Sequence, residues 1–314
     1  MLVAVDIGNT NIVLGFLDGD AIAGTYRITT KANHTSDEYG LFLTEFLRMS
    51  GFQPSDVDDV IICSVVPKVM HSFRSSIVKF LDIDPMVVGP GIKTGMNVRV
   101  DDPKSLGADI LADCAGAYYE YGGPVLVADF GTATTFTHVS DKGVVDSGVI
   151  TTGIRAGAAA LWGDTAQLPE VEITRPDTIL GTNTKTCMQA GLYYTFLGGV
   201  ERTIRQFRRE LGGEDFKVIT TGGLGRVFEN DTELIDVYDP DLIFKGRLDF
   251  HVVHQLLAAG QPDVGGNNAL MGSQYQHLVF QVVLFAGLHI PPLIQIAAVH
   301  THKIGSVKIG RAHV

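Results

Sequence analysis

The chain has 314 residues, 45% hydrophobic and 19% charged, a composition typical of a soluble globular protein and a length that favours two domains. Its formal net charge of −11 disfavours a nucleic-acid or acidic-membrane surface, because phosphate groups would be repelled. Three widely spaced cysteines without a CxxC pair indicate neither a disulfide framework nor a zinc site, and we expect buried thiols.

The first part of the chain predicts a mixed α/β layer. Apolar, β-branched runs at 1–5 and 12–17 flank a glycine-containing turn, and a third strand at 21–29 follows the hairpin signal Asp18-Gly19. Residues 36–49 have helical spacing, and Ser36 is the predicted N-cap. A strand at 60–66, a helix at 69–81 and a strand at 86–88 follow.

The second part repeats this plan. Strands are predicted at 125–129, 134–139 and 144–149, a long helix at 186–211, and a further strand at 216–220. In both parts the first strand ends on Asp-x-Gly, as Asp6-Ile7-Gly8 and as Asp129-Phe130-Gly131. Chance could produce so short a similarity, but the matching elements on both sides favour a duplicated α/β unit.

An Asp-x-Gly turn at the end of a strand suits phosphate chemistry. Glycine lets the backbone approach a ligand closely, and the small polar residues that follow add hydrogen-bond donors. A carboxylate beside a phosphate is favourable only when a cation lies between them, as magnesium does when it bridges nucleotide oxygens. Two such turns could therefore hold a polyphosphate from both sides.

Six motifs in order resemble those of the type III pantothenate kinase family, in the acetate kinase/sugar kinase/Hsp70/actin superfamily. They cover roughly residues 1–246 and comprise Asp6-Ile-Gly-Asn-Thr-Asn11, Gly107-Ala-Asp109, Asp129-Phe-Gly-Thr132, Ser147-Gly-Val-Ile150 with Gly153, Gly181-Thr-Asn-Thr184 and Thr221-Gly-Gly223. The resemblance implies two actin-like, ribonuclease H-like α/β domains, at residues 1–112 and 113–246, with a central active-site cleft.

The resemblance also implies roles for particular residues. ATP would contact Asp6, Ile7, Gly8, Asn9, Thr10, Asn11, Ile12, Val13 and Thr132. Magnesium would be held through the nucleotide near Asp6, and a monovalent cation, K⁺ or NH₄⁺, at Asp129. The substrate would contact Gly107, Ala108, Asp109, Ile110 and Thr184.

Asp109 is the expected catalytic base. Phosphoryl transfer to an alcohol needs a proton acceptor within reach of the attacking hydroxyl, and the family places its base at this aspartate. A carboxylate in the first turn of a helix would also be favoured by the helix dipole alone. Relatives often have arginine where Ile110 stands and lysine where Thr182 stands, so substrate contacts are expected to differ here.

The last part of the chain differs in composition. Residues 247–314 hold seven of the ten histidines and no glutamate, and the family pattern stops after Asp239-Pro-Asp-Leu-Ile-Phe-Lys-Gly246. Our hypothesis is that this tail derives from a frameshift or from sequence assembly, and the alternative is a genuine extension. Its apolar stretch at 278–299 is interrupted by Gln281, His289 and two prolines, which disfavours a membrane span.

The implied activity is ATP-dependent phosphorylation of pantothenate to 4′-phosphopantothenate, the first step of coenzyme A synthesis, by a homodimer. A kinase for another small alcohol and a non-catalytic nucleotide-binding regulator remain the alternatives. The N-terminus has no basic region before Asp6, so no signal peptide is predicted and the expected location is cytoplasmic.

Overall fold

The computed structural model describes residues 1–19, 21–88, 94–163, 165–213, 215–229 and 231–247. The predicted tail therefore lies, apart from Arg247, outside the described residues. The described residues belong to one compact unit built on two β-sheets.

The first sheet has five strands in the order β3-β2-β1-β4-β5. The strands are β1 (Leu2–Ile7), β2 (Asn11–Asp18), β3 (Ala21–Thr29), β4 (Asp59–Ser64) and β5 (Met86–Val87). The chain first forms an antiparallel three-stranded meander, and β4 and β5 then add in parallel on the other side of β1. The register pairs Asp6 with Val13 on β2 and with Cys63 on β4.

The second sheet repeats this topology and adds one edge strand. Its strands are β6 (Asn97–Val98), β7 (Val125–Phe130), β8 (Ala133–Val139), β9 (Val144–Thr152), β10 (Lys217–Thr221) and β11 (Val237–Tyr238), in the order β11-β10-β7-β8-β9-β6. The meander β7-β8-β9 corresponds to β1-β2-β3, and β10 lies parallel to β7 as β4 lies parallel to β1. Asp129 therefore has the same place in its sheet as Asp6 has in the first.

Six α-helices are described. They are α1 (Ser36–Met49), α2 (Pro67–Leu81), α3 (Ala108–Tyr121), α4 (Ile154–Gly163), α5 (Thr184–Glu210) and α6 (Gly225–Phe228), with short 3₁₀ turns at Pro54–Asp56 and Pro103–Ser105. A further helical stretch covers 242–247.

Alternation along the first strand separates its two apolar faces. Val3, Val5 and Ile7 lie in a core with α1 and α2, while Leu2 and Ala4 lie in a second core with Ala112 of α3 and Phe244. Asp6 follows Leu2 and Ala4 on that second face. The other face of α3 packs against β7 and β10, so this one helix lies between the two sheets.

The predicted strands and helices are all present, with ends that differ by up to three residues. The predicted N-cap was wrong by one position: Thr35, not Ser36, accepts the backbone N–H of Glu38, and the Glu38 carboxylate accepts the N–H of Thr35 in return. Cys187 is exposed, which corrects the expectation of three buried thiols, whereas Cys63 and Cys114 are buried. The predicted domain limits at 112 and 246 remain predictions, and residue 112 lies within α3.

Candidate active site

The two Asp-x-Gly turns face each other. In the first turn the Gly8 N–H donates to the Asn11 carbonyl at 3.0 Å, which closes the link between β1 and β2. The Thr10 hydroxyl lies 3.3 Å from the Thr132 hydroxyl of the second turn, although 122 residues separate the two in sequence. At this distance the two hydroxyls hydrogen-bond to each other, and both are exposed, so a ligand could contact both turns from the solvent side.

Three glycines pack closely against the second turn, and two of them lie against the Asp129 carboxylate. A Cβ on Gly131 would lie 3.1 Å from Asp129 Oδ2, and one on Gly153 would lie 2.3 Å from the Thr132 carbonyl oxygen. Gly222 has a φ of +87°, and a Cβ there would lie 2.4 Å from Asp129 Oδ1. The predicted motifs around Gly153 and Thr221-Gly222-Gly223 thus converge on one turn.

Four carboxylates interact electrostatically in this region. Burial is the main cause that raises the pKa of Asp129, to about 7, and the charges of Asp109 and Asp6 raise it further. Burial also raises the pKa of Asp6, against the opposing effect of Arg247. Like charges enclosed together favour a bound cation or proton.

Asp113 is the member of this group that sequence reasoning missed. It lies on α3 one turn after Asp109, is 4% exposed, and its Oδ1 has no hydrogen-bond partner. Burial raises its pKa well above the usual range, with added contributions from Asp129 and Asp109. The available signal was its helical spacing of four from Asp109, which places both on one face of the helix.

Asp109 lies in the first turn of α3, as expected, and is half-buried. Its Oδ1 accepts the Ile110 N–H at 2.9 Å, and a Cβ on Gly107 would lie 2.3 Å from the same oxygen. The carboxylate therefore folds back over the residues that precede the helix. The Ile110 side chain packs against the apolar core beneath the second sheet, which explains how an apolar residue is accommodated there.

No hydrogen bond or ion pair among the described residues connects Thr184 to the carboxylate cluster. It is exposed at the start of α5, where Asn183 caps the helix by accepting the Thr186 N–H at 3.0 Å. Ile7 and Ile12 are fully buried in the core under the first turn. Their side chains therefore support the turn and do not face a ligand.

Arg247 makes a contact that the sequence did not predict. It is 0% exposed, and its Nη2 donates to Asp6 Oδ1 at 2.7 Å. The pair spans 241 positions in the sequence. The neighbouring Cys63 is buried, and burial raises its pKa despite the nearby guanidinium, so it remains a neutral thiol.

These residues suit a magnesium ion that arrives with a nucleotide. Carboxylate oxygens are the donors that Mg²⁺ prefers, and Mg²⁺ usually takes only one or two of them, with water and phosphate completing its shell. Among the described residues no three His, Cys, Asp or Glu side chains converge closely enough to enclose a metal ion by themselves. Asp6, which is 22% exposed in its side chain, would hold the ion from one side.

Two sheets of repeated topology, facing Asp-x-Gly turns and a carboxylate between them define a phosphotransferase of the actin-like class. Residues 2–206 match the family model described as type III pantothenate kinase. The chain therefore belongs to the type III pantothenate kinase family, and it is a kinase that uses ATP with a divalent metal ion.

Curated relatives agree with this assignment. A type III pantothenate kinase of Bifidobacterium longum subsp. infantis is 72% identical over 246 residues, which are 78% of this chain and 96% of that protein. One from Agathobacter rectalis is 50% identical over 246 residues, covering 78% of this chain and 95% of that protein.

A crystal structure of a candidate 2-dehydro-3-deoxygalactonokinase from Sinorhizobium meliloti superposes with a TM-score of 0.50 at 15% identity. The superposition covers 85% of this chain and 99% of the Sinorhizobium meliloti chain. This likeness shows the fold, and it confirms the expected two-domain, actin-like α/β architecture. No helix in the described part of the chain is long and apolar enough to cross a membrane.

Proposed function

We propose that this protein transfers the γ-phosphoryl group of ATP to the primary hydroxyl of pantothenate, which yields 4′-phosphopantothenate for coenzyme A synthesis. The observation that carries the proposal is the approach of the two phosphate-type turns to 3.3 Å between Thr10 and Thr132. A polyphosphate held there would be contacted by both turns, and family membership gives the substrate.

In this proposal three of the four carboxylates have separate tasks. Asp109 accepts the proton of the attacking hydroxyl, and Asp6 faces the nucleotide-bound magnesium. Asp129 holds a monovalent cation, K⁺ or NH₄⁺, next to the second turn. That assignment is supported by the pKa of about 7, since a bound cation would favour the ionised form of this crowded carboxylate.

Substrate positioning is proposed for Gly107, Ala108 and Ile110 around Asp109, with Thr184 as a more distant contact. Gly107 is the N-cap of α3 and makes no side-chain cap, so the backbone N–H groups of Ala108 and Asp109 could face an acceptor, whereas that of Ile110 donates to Asp109 Oδ1. A pantothenate carboxylate or hydroxyl is a suitable acceptor. The arginine and lysine common in relatives are absent at Ile110 and Thr182.

We also propose a homodimer that works in the cytoplasm, where ATP is available. Large apolar side chains are exposed on β9, α4 and the segment before α5, and Ile150, Ile179 and Leu180 are 72%, 59% and 76% exposed. Apolar exposure of this kind is typical of an interface. Sedimentation velocity should show a dimer that Ile150→Asp dissociates, whereas Leu41→Asp on α1, also exposed at 64%, leaves it intact.

The activity test is ATP-dependent phosphorylation of pantothenate by the purified chain, with and without K⁺ or NH₄⁺. Asp109→Asn should lower kcat by about 10²-fold or more while ATP still binds, because a general base contributes roughly 10² to 10⁴. Asp101→Asn, at an exposed aspartate nearby, is the matched control.

Two outcomes would redirect the proposal. Transfer to a small alcohol other than pantothenate would favour a kinase of different acceptor specificity, which the Ile110 and Thr182 positions would explain. ATP binding without transfer to any alcohol, in a folded dimer supplied with both cations, would favour a nucleotide-binding regulator.

A further inference from the structure

Asp6 and Asp129 occupy equivalent turns, but their carboxylates are held by different means. In each turn Oδ2 is on the side of the glycine two residues later: a Cβ on Gly8 would lie 3.9 Å from Asp6 Oδ2, and one on Gly131 would lie 3.1 Å from Asp129 Oδ2. The other oxygen, Oδ1, meets a further group in each turn, although Asp129 Oδ1 also lies near Gly131, whose Cβ would be 3.7 Å from it.

For Asp129 that other group is backbone. Gly222, directly after β10, leaves so little room that a Cβ would lie 2.4 Å from Asp129 Oδ1. The corresponding strand of the first sheet is β4, where Cys63 is paired in register with Asp6 and Ser64 has the place of Gly222. Asp6 Oδ1 is instead bonded to Arg247 Nη2 at 2.7 Å.

The helical stretch 242–247 places the Arg247 guanidinium beside Asp6, because this stretch packs closely against β2 and α3. Phe244 lies against Gly15 of β2, where a Cβ would be 2.6 Å from its ring. A Cβ on Gly246 would lie 1.8 Å from the Ala112 carbonyl oxygen of α3, so only glycine permits this crossing. The next residue, Arg247, is consequently enclosed between β1, β4 and α3.

The burial of Arg247 is unusual, since two of its three guanidinium nitrogens, Nε and Nη1, have no hydrogen-bond partner. A buried cation that lacks partners is unfavourable unless negative charge compensates it. Here Asp6 compensates it directly, and the Arg247 charge also acts on Asp113. The guanidinium therefore places a positive charge within the carboxylate cluster, in addition to the effect of the Arg27 charge on Asp6.

We propose that Arg247 is a positioning residue of the phosphate site, which holds Asp6 by Oδ1 and so presents Oδ2 alone to the metal side of the first turn. It also prevents a free divalent ion from being captured by both oxygens before a nucleotide arrives. The effect on turnover rests on the proposed kinase function, whereas the effect on metal binding does not. Both effects take Arg247 as a genuine residue of the chain, which is the alternative to a tail derived from a frameshift or from sequence assembly.

The test is binding of Mn²⁺ to the nucleotide-free protein, followed by electron paramagnetic resonance, alongside kcat and KM. Arg247→Met should bind Mn²⁺ several-fold more tightly, because it frees Oδ1 and removes a positive charge. It should also lower kcat about tenfold or more, since a misplaced catalytic group can cost on the order of 10²-fold, with little change in KM for pantothenate. Arg247→Lys should keep Mn²⁺ affinity near that of the wild type and restore part of kcat.

Arg175→Met is the matched control, because Arg175 pairs with the buried Asp231 at 2.8 Å and is outside the carboxylate cluster. It should change neither Mn²⁺ binding nor KM. In an Asp6→Asn background, Arg247→Met should no longer tighten Mn²⁺ binding, and a tightening that persists there would contradict the role of Asp6.

If Arg247→Met fails to fold, the proposal is tested with Arg247→Lys and Asp6→Asn. Asp6→Asn must then weaken Mn²⁺ binding, and Arg247→Lys must leave the Mn²⁺ affinity close to that of the wild type. Wild-type Mn²⁺ affinity and kcat in a folded Arg247→Met protein would overturn the proposal. A wild-type protein without kinase activity, but with the predicted Mn²⁺ pattern, would refute the proposed function and support this inference.

Discussion

At the scale of single residues, Gly222 shows how a backbone conformation fixes a functional carboxylate. Its φ of +87° is strained for other residues, and a Cβ would overlap both Asp129 Oδ1 and the Phe130 backbone. We expect Gly222→Ala to lower the free energy of unfolding by about 2 kcal/mol or more, the sum of backbone strain and overpacking. Urea unfolding measures this effect.

The adjacent Gly223 provides the control, because nothing lies within 4 Å of its Cβ position and its φ is not in the left-handed region. Gly223→Ala should change stability by less than about 1 kcal/mol. Gly222→Ala should also raise KM for ATP through the displaced Asp129. Equal effects of the two substitutions would show that the space around Asp129 does not matter.

At the scale of helices and strands, the crossing of α3 with the 242–247 stretch determines how the carboxylates meet. A Cβ on Gly116 of α3 would lie 2.5 Å from the Leu242 carbonyl oxygen. Alanine is normally preferred to glycine inside a helix by about 1 kcal/mol. We expect the steric overlap to prevail, so that Gly116→Ala destabilises the protein by about 1 to 3 kcal/mol.

Gly198 of α5 has open space at its Cβ position, so Gly198→Ala should show the opposite sign and stabilise the protein by up to about 1 kcal/mol. Thermal and urea unfolding of the two variants give the comparison. Stabilisation by both substitutions would mean that α3 and 242–247 can move apart without cost.

The local part of this architecture could be predicted from the sequence, and the long-range part could not. Each Asp-x-Gly turn has local causes, which are an apolar strand before it and a glycine within it. The motifs occur in the order that the family has, so the resemblance could assign them to one site. The burial of Asp113 depends on what packs over α3, and the Arg247 contact joins positions 241 apart. Neither the burial of Asp113 nor the Arg247 contact can be inferred from the periodicity of a short stretch of sequence. The cap at Thr35 was missed by one residue because Thr35 and Ser36 are both good caps.

At the scale of the whole molecule, the buried carboxylates predict an unusual pH dependence of stability. Asp113 and Asp6 have raised pKa values, and that of Asp129 is about 7, so the folded protein retains protons that the unfolded chain releases near pH 4. A state that binds more protons is favoured as the pH falls. Without nucleotide or metal, stability should therefore rise as the pH is lowered from about 7 toward 5, and fall in the opposite direction.

Urea midpoints at pH 5, 6, 7 and 8, in buffers without divalent ions, K⁺ or NH₄⁺, measure this trend. Asp113→Asn should flatten the profile and raise the midpoint at pH 7 and 8, because it removes a carboxyl group that must take up a proton to be buried there. Asp101→Asn should leave the slope unchanged, since that side chain is exposed and lies outside the carboxylate cluster. Mg²⁺ with ATP should oppose the trend by stabilising the ionised carboxylates, and this effect should grow with pH because bound cations and protons compete for the same oxygens. A wild-type midpoint that increases steadily from pH 5 to pH 8 would mean that the carboxylates are ionised in the empty protein, and that Arg247 and solvent stabilise their charge without any bound cation.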